Sequence, residues 1–299
     1  MTKQHISVCI CTYKRPECLK RLLSELSRQD TDDLFSYSIV VADNDHLRSA
    51  ELVVAEFASV SPVPVKYCVE PRQSIPLARN KAVMNANGDF VAFIDDDEFP
   101  TKHWLLLLFK TLKEYEVDGV LGPVKPHFDA QPPRWVVEGQ FHDRPTHRTG
   151  LRLGWNYCRT GNALLKSQLF GQQAQPFRPQ CLSGEDQDFF RRMIENGRTV
   201  VWCNEAVVYE IVPPARWKRS FLVKRALLRG VFSLRNHGFP PARILQSIVA
   251  APSYAAALPV ALVLGQATFM TCMFRLSFHL GRLLALVGVN PIRRPYLTD

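Results

Sequence analysis

Four adjacent carboxylates, Asp95, Asp96, Asp97 and Glu98, follow an unbroken apolar run, Phe90–Ile94. Like charges at this density repel one another and destabilise a fold unless a cation meets them. Hard divalent cations such as Mg²⁺ and Mn²⁺ take oxygen ligands of this kind and usually share them with phosphate oxygens. A solvated acidic turn is the plainer reading of an isolated pair, and three aspartates after a fully apolar strand weigh against it. A second acidic group, Asp43 and Asp45, closes the apolar run at 38–42. An acid at the end of a second parallel strand often holds a ribose or base edge in nucleotide sites. A third pair, Glu185 and Asp186, opens a helix after Gly184. Such acids are either ordinary first-turn residues favoured by the helix dipole or, if they lie near the other cluster, a catalytic base. Neither a G-x-G-x-x-G after the first strand nor a G-x-x-x-x-G-K-[ST] occurs, so phosphates must be held by metal and side chains. Arg15, Arg72 and Arg79 are the candidates.

These groups need strands whose carboxyl ends share one rim. A β run over 6–11 is broken by Thr12-Tyr13-Lys14-Arg15-Pro16. Pro16 suits a helix first turn, and Leu19, Leu22, Leu23 and Leu26 then form one apolar face. Strands over 38–42, 65–69 and 90–94 alternate with helices over 49–57 and 75–86. The last of these helices carries Arg79, Asn80 and Lys81 and is closed by Asn87-Gly88. The alternation predicts an α/β fold, a mostly parallel sheet flanked by helices with right-handed crossovers. Ligands bind outside the carboxyl ends of such strands, which puts Asp43 and Asp95 to Asp97 on one rim. Further on, a helix over 104–115, strands over 119–124 and 161–165, a helix from 184 to 194 and strands over 199–202 and 206–210 are expected. The stretch 127–154, rich in Pro, His and aromatics, has no readable period, and 127–160 is expected to shape an acceptor pocket.

The whole chain has 299 residues, 46% of them hydrophobic, and a net charge of +9. An anionic partner is implied: nucleic acid, an anionic membrane face or a phosphorylated small molecule. Eight cysteines are scattered without C-x-x-C spacing, which points to reduced thiols rather than zinc. Residues 1–5 are polar and lack the apolar core of a signal peptide, so the catalytic part is expected to stay inside the cell. Composition changes near residue 215. The segment 216–235 holds Lys218, Arg219, Lys224, Arg225 and Arg229 interleaved with apolar residues and contains no acid: a basic amphipathic helix. No charge then occurs between Arg243 and Arg275. Roughly 20 apolar residues span a bilayer, but Pro252 and Pro259 interrupt this stretch and basic residues flank both sides. A re-entrant or interfacial helical hairpin is expected over a simple span, with 276–289 along the surface; a soluble helical subdomain is the alternative. Aromatic interleaving beside an apolar tail suits a membrane better than nucleic acid. Two regions follow, a catalytic 1–214 and a membrane-associating 215–299.

Sugar transfer from a nucleoside diphosphate needs a cation to neutralise the departing diphosphate and a base to deprotonate the acceptor hydroxyl. One carboxylate cluster and one separate carboxylate supply both. The motifs Val8-Cys9-Ile10-Cys11-Thr12-Tyr13-Lys14-Arg15-Pro16, Val41-Ala42-Asp43-Asn44, Ala78-Arg79-Asn80, Phe93-Ile94-Asp95-Asp96-Asp97, Gly161-Asn162 and Gly184-Glu185-Asp186 together resemble glycosyltransferase family 2, inverting enzymes of the GT-A fold. They cover about residues 6–212 in the family's order. The resemblance implies that Thr12, Tyr13 and Arg15 line the nucleotide, that Asp43 contacts its base, and that Arg79 lies near the diphosphate. It implies that Asp95 and Asp97 are the D-x-D element, with Asp96 between them in the donor-binding set, Asp97 a direct ligand of Mg²⁺ or Mn²⁺ and Asp95 nearer the ribose. Asp186 corresponds to the general base, with Glu185 beside it as the alternative, and Asp188 to a helix-start residue.

Two departures stand out. Many relatives place a His after the last strand to complete the metal shell; here Tyr209-Glu210 stands there, and either Glu210 substitutes or water and phosphate finish the shell. No Q-x-x-R-W element is present, although Ala215-Arg216-Trp217 echoes part of it, which favours single-sugar addition. Val212-Pro213-Pro214-Ala215-Arg216 with the basic tail resembles bacterial exopolysaccharide transferases of the succinoglycan-building type. That likeness implies a nucleotide-sugar donor, a UDP-sugar by family frequency. It implies a polyprenyl-diphosphate-linked saccharide acceptor and work at the cytoplasmic face of the bacterial inner membrane. The competing class is a non-catalytic nucleotide-sugar or carbohydrate-binding membrane protein; intact Asp95, Asp97 and Asp186 weigh against it.

Overall fold

The computed structural model describes residues 3–171, 175–181, 184–235 and 240–289. The first two residues of the polar N-terminus and the last ten of the 215–299 region lie outside these. The chain divides into two compact units, Met1–Pro126 with Arg144–Glu210, and His127–Asp143 with Ile211–Asp299.

In the first unit the elements run β1 (Gln4–Thr12), α1 (Pro16–Leu26), β2 (Phe35–Asp43), α2 (Glu51–Val60), β3 (Val65–Val69), α3 (Ile75–Met84), β4 (Phe90–Ile94), β5 (Glu98–Pro100), α4 (Trp104–Glu114) and β6 (Gly119–Leu121). After β7 (Val124–His127) and a helix of the second unit, α5 (Arg134–Glu138), come β8 (Asn162–Lys166), α6 (Glu185–Glu195), β9 (Val200–Trp202) and β10 (Val208–Ile211). A seven-stranded sheet has the order β3-β2-β1-β4-β8-β6-β9, and a small sheet the order β5-β10-β7. β1, β2, β3 and β4 are mutually parallel, whereas β8 runs antiparallel to β4 and β6. The mostly parallel sheet is as expected.

β4 explains why the sheet is the organiser. All five of its residues are buried, and they alternate between two cores. Phe90, Ala92 and Ile94 join the core with Leu19, Leu22, Leu23, Leu26 and Trp104, while Val91 and Phe93 join the other, with Phe177, Phe189 and Phe190. Full burial of each large side chain stabilises by about 1.5–3 kcal/mol, so a strand sealed on both faces fixes its register and the position of the acids that follow it. The run over 119–124 proves to be two strands in different sheets. Pro123 has no N–H for a ladder, and the chain leaves the large sheet after Leu121 to enter the small one at Val124.

In the second unit, α7 (Arg219–Arg235), α8 (Pro241–Val263) and α9 (Gln266–Leu286) follow a short turn over Pro214–Trp217. The expected basic helix is present, and α8 and α9 pack against each other after it; Pro252 and Pro259, expected to interrupt the apolar stretch, lie inside the continuous α8. Residues 276–286 belong to α9, which packs against both α7 and α8 and buries Met270, Cys272, Ser277, His279 and Arg282. Its polar groups find partners: His279 Nδ1 lies 3.1 Å from Ser247 Oγ, and Arg282 donates to Ser233 Oγ (2.8 Å) and Gln246 Oε1 (3.0 Å). α7 and α9 approach backbone to backbone. A Cβ on Gly230 would sit 2.1 Å from the Phe278 carbonyl oxygen, and one on Gly281 2.1 Å from that of Leu227. α8 is long and apolar enough to cross a membrane by length and composition, and it leaves Leu245, Ile248, Val249, Val260, Leu262, Val263 and Leu264 exposed.

Candidate active site

The carboxyl ends of β1, β2 and β4 share one rim, with Thr12 in register with Asp43. Asp43 has no exposed surface. Its Oδ1 accepts the Asp45 N–H (3.0 Å), and its Oδ2 accepts the Ala50 N–H (2.8 Å) and the Tyr67 hydroxyl (2.9 Å). In this arrangement Asp43 holds the loop that follows it. Asn44 beside it donates to the carbonyls of Glu70 and Arg72 and accepts the Ser74 N–H, which ties the rim to the turn before α3. Arg72 is exposed and pairs with Glu70 (3.4 Å).

Arg15 and Arg79 reach the acidic run after β4. Arg15 Nη1 donates to Asp96 Oδ1 (3.2 Å) and Asp97 Oδ2 (3.1 Å), and Thr12 Oγ1 donates to Asp96 Oδ2 (2.8 Å). Tyr13 is half-buried on the same loop, with the Lys14 ammonium 5.3 Å from its ring. Burial and then the neighbouring Asp97 charge push the Asp96 carboxyl up to about 6, against the pull of Arg15 and Thr12. Asp96 is therefore an inward-facing anchor for Thr12 and Arg15. On the other side, Arg79 Nη2 lies 3.7 Å from Asp95 Oδ1 while its Nη1 pairs with Glu185. One buried guanidinium thus joins the acidic run after β4 to the first residue of α6. Burial raises the Glu185 carboxyl, and Arg79 opposes that rise.

Asp186, the next residue, is less buried than Glu185. Its Oδ1 accepts the Gln187 N–H (2.7 Å), and its charge is felt at Arg79. Asp188 is taken up by Arg192 (3.0 Å) and Arg191 (3.3 Å), a helix-start residue. Glu185 and Asp186 thus differ: the first is buried and locked to Arg79, the second is half-buried.

Sequence reasoning missed three groups. Glu98 was part of the acidic run but had no role; its side chain is buried, and Oε2 accepts the Asp95 N–H (3.0 Å). Oε1 is buried without a hydrogen-bond partner. Burial, followed by the charge of Asp95, moves its carboxyl well above the usual range. Arg144, in the stretch without period, pairs with Glu210. Asn162, quoted as a motif, ties the rim together by donating to the carbonyls of Pro123 (3.0 Å) and Ala206 (2.7 Å) and accepting from Trp104 Nε1 (2.8 Å). Glu98 and Asn162 carried a signal in sequence, in the acidic run and in Gly161-Asn162; Arg144 carried none.

Gly161 explains its own place before Asn162. A Cβ there would lie 2.8 Å from Glu98 Oε1 and 3.2 Å from Asp95 Oδ2. Gly161→Ala is expected to push Asp95 out of place and lower kcat about tenfold or more, since ångström-scale misplacement costs up to about 10²-fold. The melting temperature should move little. Steady-state kinetics with thermal denaturation checks this, and an unchanged kcat would refute it.

The residues fit a divalent cation in one form. Asp95 and Asp97 offer hard oxygen donors from one loop, and the Asp95 side chain is 43% exposed. Among the described residues, no three His, Cys, Asp or Glu side chains converge on a point. Glu210, expected as a third ligand, pairs with Arg144, as Asp97 pairs with Arg15. Two carboxylates completed by phosphate oxygens and water are a usual shell for Mg²⁺-like ions.

The chain is similar to known proteins over most of its length. The model for glycosyl transferase family 2 matches residues 7–171. The succinoglycan biosynthesis protein ExoM of Rhizobium meliloti (strain 1021) is 32% identical over 299 residues, 97% of this chain and 95% of that protein. Among solved structures, the mannosyltransferase PcManGT from Pyrobaculum calidifontis, in complex with GDP-Man and Mn²⁺, is similar with a TM-score of 0.67 at 18% identity, covering 97% of this chain and 89% of that one. S. aureus TarS 1-349 in complex with UDP-GlcNAc gives a TM-score of 0.56 at 17% identity, covering 95% and 92%. The fold is therefore of the GT-A type, and the chain belongs to glycosyl transferase family 2.

Proposed function

We propose that this glycosyltransferase moves one sugar, with inversion, from a nucleoside-diphosphate sugar to a lipid-linked saccharide during bacterial surface or exopolysaccharide synthesis. The observation that carries the reading is Arg79, which touches both Asp95 and Glu185 and so brings two acidic sets, distant in sequence, to one cleft. Thr12, Tyr13 and Arg15 line the nucleotide, with Asp96 anchoring their loop. Asp43 keeps the rim in shape. Asp95 and Asp97 hold Mg²⁺ or Mn²⁺, which when bound neutralises charge growing on the leaving diphosphate. Asp186 takes the proton from the acceptor hydroxyl. The acceptor oxygen then bonds to the anomeric carbon on the face opposite the diphosphate, and the electrons of the breaking bond leave with the diphosphate. Arg79 orients Glu185, which fixes the first turn of α6 and hence Asp186.

The donor is a UDP-sugar in this reading, a choice supported by TarS, solved with UDP-GlcNAc; PcManGT, solved with GDP-Man, keeps the base open to test. A lipid-linked acceptor is supported by the tail. Residues 211–299 contain twelve Lys and Arg and one acidic residue, Asp299, and α8 exposes an uncharged apolar face. Basic side chains meet anionic headgroups and a lipid diphosphate while apolar ones enter the interface. The division of labour we infer is transfer by 1–214 and attachment to the cytoplasmic membrane face by 215–299. The test offers the purified protein a polyprenyl-diphosphate-linked saccharide and a panel of labelled nucleotide sugars. It is run with Mg²⁺ or Mn²⁺, with and without chelator. One sugar added from one donor, and lost with chelator, is expected; donor binding without transfer to any acceptor would favour the binding-protein alternative.

A further inference from the structure

A polar layer interrupts the apolar packing of the second unit. Arg243, Gln246 and Ser247, on one turn of α8, meet Arg282 and His279 of α9 and Ser233 of α7. Both guanidiniums bond Ser233: Arg243 Nη1 donates to its carbonyl (3.1 Å) and Arg282 Nε to its hydroxyl (2.8 Å). Arg282 Nη1 donates to Gln246 Oε1 (3.0 Å), and its guanidinium carbon lies 4.5 Å from the centre of the Phe278 ring. All these partners are neutral. α7, α8 and α9 contain no Asp or Glu, and among the described residues neither arginine meets a carboxylate. Arg282 is buried and Arg243 half-buried. A guanidinium does not shed its proton, so two like charges stay together in poorly hydrated surroundings, a cost that a bound anion offsets. Their hydrogen bonds are answered while their charge is not. The layer opens beside Gln246, which is exposed, and the flanking Leu245, Ile248 and Val249 of α8 are exposed apolar residues. A free phosphate would use the arginines alone; a phosphate ester with acyl chains would use the arginines and the apolar flank together.

We propose that Arg243 and Arg282 form a binding site for the phosphate of an anionic membrane phospholipid, whose chains lie along Leu245, Ile248 and Val249. The inference rests on the membrane attachment read under Proposed function and deepens it: attachment is not only a diffuse attraction of the basic tail but includes one site with named ligands.

Flotation of the full-length protein with vesicles of phosphatidylcholine, alone or mixed with phosphatidylglycerol, tests this at fixed ionic strength. The decisive variant is Gln246→Glu, which puts a carboxylate where Arg282 already donates and so supplies the missing anion from within. Q246E should melt at a higher temperature than the wild type and bind the phosphatidylglycerol vesicles about fiftyfold or more weakly, because the internal carboxylate takes the charge-assisted bonds of the lipid phosphate. Lys224→Gln, on an exposed position of α7, lowers the net charge by the same amount and should cost no more than about fivefold, the share of one basic residue near an anionic surface. Short-chain phosphatidylglycerol should raise the melting temperature of the wild type and not that of Q246E. Arg243→Gln should lose vesicle binding without the thermal gain; Q246E decides the matter even if R243Q does not fold. Equal losses in Q246E and K224Q would mean diffuse attraction and overturn the site, while membrane attachment stands. Equal wild-type binding with and without phosphatidylglycerol would do the same. Vesicles carrying a polyprenyl diphosphate at the same charge density, if preferred about tenfold by the wild type and not by Q246E, would give the arginine pair to the acceptor's carrier and overturn the phospholipid assignment. A wild-type protein that floats with none of these vesicles would remove the attachment reading, and this proposal with it.

Discussion

Replacing Asp186 by Asn should lower kcat by about 10³-fold or more while donor affinity stays within about twofold. Asn keeps the shape of the side chain and the contact with the Gln187 N–H, but it cannot take a proton from the acceptor hydroxyl. Asp186 lies on the first turn of α6, which Glu185 ties to Arg79, so the change removes a base without removing an anchor. Glu185→Gln should behave differently, weakening the buried pair and therefore both stability and turnover. Initial rates with saturating donor, together with calorimetric donor binding, separate the two. Turnover of D186N near the wild-type rate would place the base elsewhere.

Arg79→Met is the second large effect. The side chain is buried between Asp95 and Glu185, and removing one partner of a buried ion pair costs about 3–5 kcal/mol. Burial already raises the Glu185 carboxyl, so protonation of the stranded acid recovers part of that loss, and the lower end is expected. Turnover should fall by about 10²-fold or more, because the two halves of the cleft lose their common tie. Arg79→Lys should restore the charge but not both contacts, since an ammonium lacks the guanidinium fork. Urea denaturation and kcat measure both effects; a destabilisation under about 1 kcal/mol would deny Arg79 this bridging part.

The strand Phe90–Ile94 and its acids were legible because burial on two faces writes a continuous apolar run, and the βα alternation fixes which strand ends share a rim. Arg79 was legible as a charged residue within a helix of suitable place, but its two partners were not, since they come from contacts far apart in the chain. The small sheet was not legible: strands of three or four residues carry too little pattern, and Gly122-Pro123 hid the switch between sheets. Arg144 lay in a stretch with no period at all. Asp43 illustrates the opposite limit. Its type and place at a strand end suggest a ligand contact, and its hold on Asp45, Ala50 and Tyr67 could not be read from either. The interior partners of α9 were not legible either: serines and a glutamine on α7 and α8 satisfy Arg282 and His279.

The most direct measurement is a crystal structure of the protein with Mn²⁺ and UDP. The account predicts Mn²⁺ on Asp97 and Asp95 between the protein and the diphosphate, with the Asp186 carboxylate opening onto the same cleft, within about 10 Å of the metal and with room for one sugar between them. An Asp186 carboxylate beyond about 15 Å, or turned to another face of the sheet, would contradict it.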